Sequence, residues 1–503
     1  MTRKTPLLAA LALGAGLLAT AAQAQTLRIG LREDPDILDP TLARTYVGRI
    51  VFAGLCDKLF DINEKLQIVP QLATGYNWEG PKTLRITLRQ GVKFHDGEIM
   101  DAEAVVYSLK RHMTMQGSFR RSEINTIESL DVVDPQTLRI HLKEPSAAFL
   151  SQLTDRAGMV VSPKAAEAAG KDFGTRPVCN GPFRFVERVA QDRIVLEKFP
   201  GYWDAGNVHV DRVVYLPIAD SSVRLANLQS GALEVTEIAP TDIPAIKGNR
   251  ALRIAVGDSL AYQSILFNVG NGSRADTPFG KDARIRRAFD LAIDRDALNQ
   301  VVFEGMVTPV AQPLPPASPY YDQDFPPPQR DVEKARALLK EAGVRTPFVV
   351  EMTVPTNPEL RQAAEVIQSM VAEAGFELRI SSMEFASSLA AAHRGEFQAY
   401  MSAWSGRIDP DGNTWAFLHS RGASNDGRYA NPEVDRLLDA ARAEMDEGKR
   451  RALYDQVWPI AIGKDQSRSY LWSRKLVFGV SSKLEGFRMV PDGIVRVQGL
   501  KLD

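Results

Sequence analysis

From Phe348 onward the sequence switches repeatedly between two repeat lengths, and that switching restricts the fold more than any other feature. Phe348 to Val354, Phe376 to Ser382 and Phe397 to Ala403 read as strands. The intervening Pro358 to Ala374 carries its apolar residues at helical spacing. Strands alternating with helices predict helices packed on a sheet, an α/β lobe. Just upstream, Ile285, Ala288, Phe289, Ala292 and Ile293 also fall at helical spacing, and Asp331 to Ala342 predicts an amphipathic helix stopped by Gly343. Val434 to Ile462 closes the region with two more helices.

The first half reads differently. Leu27 to Leu31 predicts a short strand and Tyr46 to Leu55 a helix. Thr83 to Leu88 alternates strictly, and Thr137 to Leu142 repeats the pattern, as half-buried strands do. Between them Asp101 can cap a helix running through Val105, Val106 and Leu109. After Pro177 the period stays near two over Phe183 to Val189, Ile194 to Phe199 and Val210 to Leu216. The Pro-rich stretch from Pro309 to Pro328 is expected to be a long surface excursion. No composition shift marks a linker, so two lobes crossed by several chain segments fit best. A cleft between lobes is a natural ligand site.

A chain of 503 residues is too long for one core, and 61 basic against 62 acidic residues exclude the basic excess of a nucleic-acid binder. The N-terminus has a charged start (Arg3, Lys4), an apolar run from Leu7 to Leu18, and small residues in Ala22-Gln23-Ala24. That is the pattern of a secretory signal covering residues 1–24, cut between Ala24 and Gln25, and the apolar run is too short to span a membrane. Two cysteines, Cys56 and Cys179, then face an oxidising compartment, where a lone pair forms either one structural disulfide or two buried thiols.

Enzyme motifs fail: there is no Gly-x-Ser-x-Gly, no His-Glu-x-x-His and no phosphate-binding loop. The six histidines are scattered, and His95 sits before an Asp96-Gly97 turn pair. No cofactor, metal or catalytic residue is implied. What remains is an ordered set of local patterns. They are Leu88-Arg-Gln-Gly-Val-Lys-Phe-His-Asp-Gly97 followed by Asp101 to Arg111, then Asn180-Gly-Pro-Phe183, Tyr202-Trp203, Arg286 to Arg295, Asp331 to Gly343, and Trp404-Ser-Gly-Arg-Ile-Asp-Pro-Asp-Gly-Asn413. This set resembles the peptide-type, family 5 (dipeptide- and oligopeptide-binding-like) periplasmic solute-binding proteins of ABC importers.

The resemblance implies an α/β, two-lobed periplasmic binding protein fold of type II-like design with an inserted domain. The first lobe would comprise 25–57, 177–262 and 476–503, the insert 58–176, and the second lobe 263–475. The cysteines then fall near the two crossings between first lobe and insert, which favours the disulfide. It also implies a monomeric, non-enzymatic receptor that closes over a small peptide-like solute and delivers it to membrane permease subunits. An opine, glycoside or metal chelate is the alternative solute, and a secreted hydrolase the alternative class.

A peptide's ammonium and carboxylate each need a partner in a closed cleft. Asp409 matches the aspartate that holds the amino group in dipeptide-binding relatives, or it caps the following helix. Arg361 follows Asn357-Pro358 by the interval of the relatives' carboxylate-binding arginine, or it is a solvated helix-face residue. Arg407 stands where oligopeptide-binding relatives place an acid. It could pair with Asp409 or meet a second carboxylate or a phosphate of the ligand. Trp404 and Tyr46 are expected either to wall the cleft or to pack in a core.

Overall fold

The computed structural model describes residues 25–503. The expected signal over residues 1–24 lies outside the described residues. Among them the largest element is an eleven-stranded mixed sheet. From one edge its order is Phe376–Met383, Phe348–Pro355, Ala399–Trp404, Leu252–Phe267, Arg468–Ser481, Val235–Glu237, Thr26–Leu31, Arg212–Pro217, Arg193–Lys198 and Phe183–Val189, with Val307–Pro309 paired beside Arg468–Ser481. The helix Pro358–Glu373 crosses between the parallel strands Phe348–Pro355 and Phe376–Met383, as the alternating periodicity predicts.

Two long strands join the halves of this sheet. Leu252–Phe267 runs antiparallel to Arg468–Ser481, from Leu252 opposite Ser481 to Leu266 opposite Arg468, with a register shift between Asp258 and Tyr262. Neither strand stands out by alternation. From Ser259 to Phe267 every residue is buried, so both faces are covered and the period-two signal vanishes. At the shift, Gly406 approaches so closely that an added Cβ would lie 2.2 Å from the Leu260 carbonyl oxygen, and its φ is 78°. This accounts for the glycine in Trp404-Ser-Gly.

A separate four-stranded antiparallel sheet has the order Ala73–Trp78, Thr83–Leu88, Thr137–Leu142, Ile127–Asp134. One face is covered, so its alternation is legible: Leu84, Ile86, Leu138 and Ile140 are fully buried. The helix Ala102–Thr114 starts where Asp101 Oδ1 accepts the Ala104 N–H at 3.0 Å, and its Val105 and Leu109 join the same core. Cys56 and Cys179 form a disulfide where this unit meets the large sheet. Beside it a Cβ on Gly181 would sit 2.5 Å from the Leu55 carbonyl carbon, which is why the Gly-Pro-Phe turn needs glycine there.

The Pro309 to Pro328 stretch departs from expectation. Its first part is core: Val310 and Leu314 are buried, and the buried Gln312 amide donates to the Asp322 carbonyl at 2.8 Å and accepts the Asp322 N–H at 2.9 Å. Proline content excludes regular ladders. It does not dictate exposure when a side-chain amide satisfies the backbone.

Candidate functional site

The principal cavity lies where three regions converge: the Thr26–Leu31 end of the large sheet (Arg32, Tyr46, Glu237), the four-stranded unit (Arg120, Gln152, Arg156), and the C-terminal half (Trp404, Asp411, Phe417). The long central strands supply its floor through Gln263, Arg468, Trp472 and Arg474. Eight arginines and Lys475 line it against six carboxylates. Such a surplus of cations favours an anionic guest.

Most of these charges are already matched. The Arg44 Nη2 donates to Asp426 Oδ2 at 2.5 Å across the cleft, and His393 Nδ1 lies 2.8 Å from Asp426 Oδ1. Arg442 grips Asp411 with two bonds of 2.8 Å each, while Gln152 from the opposite wall donates to Asp411 at 3.1 Å. Arg474 meets Glu237 at 2.6 Å. Arg44 holds the Asp426 carboxyl below its ordinary range against the opposing effect of burial. Burial pushes Glu33 up, and Glu359 has no hydrogen bond or ion pair among the described residues.

Surplus charge concentrates around Asp155. Its buried carboxylate faces Arg49 at 2.6 Å, Arg156 at 3.2 Å and Arg407 at 3.4 Å. One carboxylate cannot neutralise three guanidinium groups. Burial, with Arg120 and Arg49 adding to it, pulls Arg156 down to about 10. Burial likewise pulls Arg407 down to about 9, with Asp155 opposing and Arg49 and Arg156 reinforcing.

Tyr46 and Trp404 line the cavity. The Tyr46 hydroxyl donates to the Gly493 carbonyl at 2.6 Å, and Trp404 Nε1 donates to Asn413 Oδ1 at 3.0 Å, so both rings are held rigidly. Arg407 is buried behind Trp404, its guanidinium 4.3 Å from the ring centroid, and it pairs with Asp155 rather than Asp409. Asp409 lies off the cavity lining. Arg450 takes both of its oxygens, at 2.6 and 2.7 Å, and its Oδ1 also accepts the Asp411 N–H at 2.9 Å, a helix-start contact. A ligand role would require this two-point pair to break, leaving buried Arg450 uncompensated. Arg361 is exposed, also off the lining, and bound to Glu365 at 2.9 Å one helical turn away. Its helix nevertheless presents Asn357, Glu359 and Leu360 to the cavity.

Of the side chains singled out from the sequence, Tyr46 and Trp404 line the cavity, whereas Asp411 lines it where Asp409 does not, and Glu359 where Arg361 does not. Sequence reasoning missed Arg44, Asp426, Arg120, Arg156, Arg442 and Arg468 altogether. Only Arg468 left a usable trace, a cation opening an otherwise apolar run, Tyr470-Leu-Trp472. Among the described residues no cluster of histidine, cysteine and acidic side chains could hold a metal ion, and no helix is long and apolar enough to cross a membrane.

The chain is similar to several known proteins. Residues 67–425 match the model of the bacterial extracellular solute-binding proteins, family 5 Middle. The glutathione-binding protein GsiB of Salmonella paratyphi A is 32% identical over 96% of both chains. The murein tripeptide binding protein MppA of Escherichia coli superposes with a TM-score of 0.89 at 22% identity, covering 96% of this chain and 99% of that one. The binding protein AgaA of A. tumefaciens R10, solved with agropinic acid, gives a TM-score of 0.86 at 25% identity, over 95% and 99% of the two chains. The two solved structures share its two-lobed α/β architecture.

Proposed function

The chain belongs to the family 5 bacterial extracellular solute-binding proteins, and from that premise we propose that it captures a small, acidic, peptide-like solute between its lobes and hands it to the membrane subunits of an ABC importer. In this reading the first lobe comprises 25–57, 177–262 and 476–503, the insert 58–176 and the second lobe 263–475. The protein works outside the cytoplasmic membrane after removal of residues 1–24, as a monomer, and catalyses no reaction.

The charge balance of the cavity carries the reading. A peptide with one ammonium and two carboxylates, as in glutathione, matches a lining whose cations outnumber its acids. Glu359, the unpaired acid of the lining, is the group we assign to the ammonium, with Tyr46 and Trp404 flanking the ligand. Capture is a hinge motion in which the ligand stabilises the closed state over the open one. The bonds from Arg44 to Asp426 and from Gln152 to Asp411 link opposite walls, so they form as the cleft shuts. An acidic opine is the second reading, favoured by the same cation surplus and by the likeness to AgaA.

A thermal-shift screen of protein stripped of carried ligand by unfolding and refolding tests the proposal. The panel holds di- and tripeptides, glutathione, their N-acetylated and amidated forms, opines and sugars. A ligand at a hundred times its dissociation constant stabilises by about 2.7 kcal/mol. Shifts from acidic peptides that shrink on N-acetylation support a peptide receptor. Silence from every peptide with a shift from an opine or a sugar refutes it.

A further inference from the structure

Most buried arginines of this molecule have an acid or a set of carbonyls to meet them, and even the crowded Arg49, Arg156 and Arg407 share Asp155. Arg224, on the cavity wall, donates to the carbonyls of Glu237, Ile218 and Ala219 at 3.0, 2.7 and 2.9 Å. Arg286 donates to the carbonyls of Gln466, Phe279, Gly280 and Asp465. Arg450 has Asp409, and Arg442 has Asp411. Arg468 is different. It opens the strand Arg468–Ser481, lines the cavity, and is 1% exposed. Its guanidinium makes one hydrogen bond, from Nη1 to Ser264 Oγ at 3.0 Å, while buried Nε has no partner. Among the described residues it joins no ion pair. Its other neighbours are aromatic: the Phe417 and Tyr470 ring centroids lie 5.6 and 6.0 Å from its central carbon.

A guanidinium in such a setting is costly unless an anion meets it. The ring faces attract it only weakly compared with a carboxylate. The protein also spends further structure on aiming it. Ser264 Oγ accepts from Arg468 and itself donates to the Ser402 carbonyl at 3.1 Å, so a short relay across two neighbouring strands holds the fork in one orientation. A cation that is buried, oriented and lacks an acid, on the wall of the ligand cavity, is a site whose counter-ion arrives from outside.

We propose that Arg468 is the anchor for a carboxylate of the captured solute, and that this contact selects acids over their neutral analogues. The proposal rests on the cavity being the solute site. It does not require the solute to be a peptide. The aromatic neighbours define the class further: a carboxylate on an extended arm whose preceding carbons pass Phe417 and Trp404, as a side-chain or terminal carboxyl of a small acidic compound does.

The test compares the wild-type mature protein with Arg468→Met and Arg468→Lys, all stripped of carried ligand. Methionine keeps length and loses charge, and lysine keeps charge and loses the fork. Two quantities are read: the ligand-free thermal midpoint, and calorimetric affinity for glutathione, glutathione diethyl ester and agropinic acid. If Arg468 awaits a ligand, Arg468→Met leaves the ligand-free midpoint unchanged or raises it, since an uncompensated buried charge is removed. The same variant loses about a hundredfold in affinity for the acid that wild type binds, with Arg468→Lys in between. Esterification mimics this loss in wild type and changes nothing in Arg468→Met. A fall of several degrees in the ligand-free midpoint with affinity retained overturns the proposal and makes Arg468 a structural residue. Glutathione bound equally by wild type and Arg468→Met sinks the anchor and leaves the peptide reading intact. Binding of agropinic acid alone, lost in Arg468→Met, sinks the peptide reading and keeps the anchor. Where no probe binds, the ligand-free midpoint still separates an anchor from a structural residue: a fall of several degrees in Arg468→Met overturns the proposal, and a steady or raised midpoint supports it.

Discussion

On the proposed partition, the insert 58–176 meets the rest of the molecule at two boundaries of contrasting character. Against the first lobe it shares one buried apolar cluster, in which Met159, Val161 and Phe173 pack with Val47, Phe52 and Tyr215. The disulfide between Cys56 and Cys179 closes over this junction. Around it the buried Asp57 accepts from Trp203 Nε1 at 2.8 Å, and His112 bridges the Thr41 hydroxyl and the Met159 carbonyl. Against the second lobe the contacts are polar: Arg407 to Asp155, Gln152 to Asp411, and Arg442 to Asn125 at 2.9 Å. The first lobe contributes Arg44 to Asp426 and Arg49 to Ser405 in the same style. Apolar burial is lost in full when a boundary opens, whereas polar groups exchange their partners for water at small net cost. In the proposed capture cycle the first boundary is thus the permanent joint and the second the reversible one, with insert and first lobe travelling as one body.

Four variants break or sharpen that contrast, in descending size. Replacing both cysteines by serine frees a loop of 123 residues and should cost about 5 kcal/mol of stability by denaturant unfolding. Affinity should be untouched, and an affinity loss comparable to the stability loss would mean that the joint takes part in capture. Asp409→Ala strands buried Arg450 inside the second lobe and should cost about 3–5 kcal/mol, again with affinity retained in calorimetry. Should affinity vanish instead while the ligand-free midpoint holds, Asp409 is a ligand group after all.

The third concerns pH. Burial pulls His112 down to about 4, against the opposing bond to the Met159 carbonyl. An unfolded histidine titrates near 6.5, so between about pH 6.5 and 4 the unfolded chain binds a proton that the native state refuses. Native stability therefore falls as pH drops through that window, by about 3 kcal/mol from this one residue. His112→Gln should flatten the corresponding part of the stability curve, and an unchanged slope would assign the pH response to other groups. Asp426→Asn is the smallest. It weakens the bond from Arg44 across the reversible boundary and, within the second lobe, the half-exposed bond to His393, so affinity should drop about tenfold while ligand-free stability changes by less. A larger change in the ligand-free protein than in binding would place Asp426 in the static frame.

Much of the fold was legible because its elements obey one-faced burial. Thr83–Leu88 alternates since only one side of its sheet is covered, and the ends of Tyr46–Leu55 are set by the Thr45 cap and the extended backbone at Cys56 rather than by any burial pattern. The two central strands were opaque for the converse reason: Ser259 to Phe267 and most of Arg468–Ser481 are covered on both faces and carry no period. The disulfide followed once the resemblance brought its cysteines to neighbouring crossings. Of the side chains expected at the cavity, the aromatic Tyr46 and Trp404 line it and the charged Asp409, Arg361 and Arg407 do not. Asp409 and Asp411 are two residues apart in a turn, and which of them faces the cavity depends on Arg450 and Arg442, both more than thirty residues further on. Charges assigned by motif alone ignore such partners, and buried carboxylates are claimed by whichever guanidinium the tertiary structure delivers.

The long strands Leu252–Phe267 and Arg468–Ser481 carry one more implication, for how such a protein acquires a new cargo. They are a shared spine, bonded backbone to backbone through both lobes, and the side chains they offer the cavity, Gln263, Trp472 and Arg474 among them, take no part in that backbone ladder. Heritable change can therefore rewrite the lining one residue at a time without disturbing the ladder on which folding depends. A lineage with that partition can drift from one small acid to another and remain folded at every intermediate step.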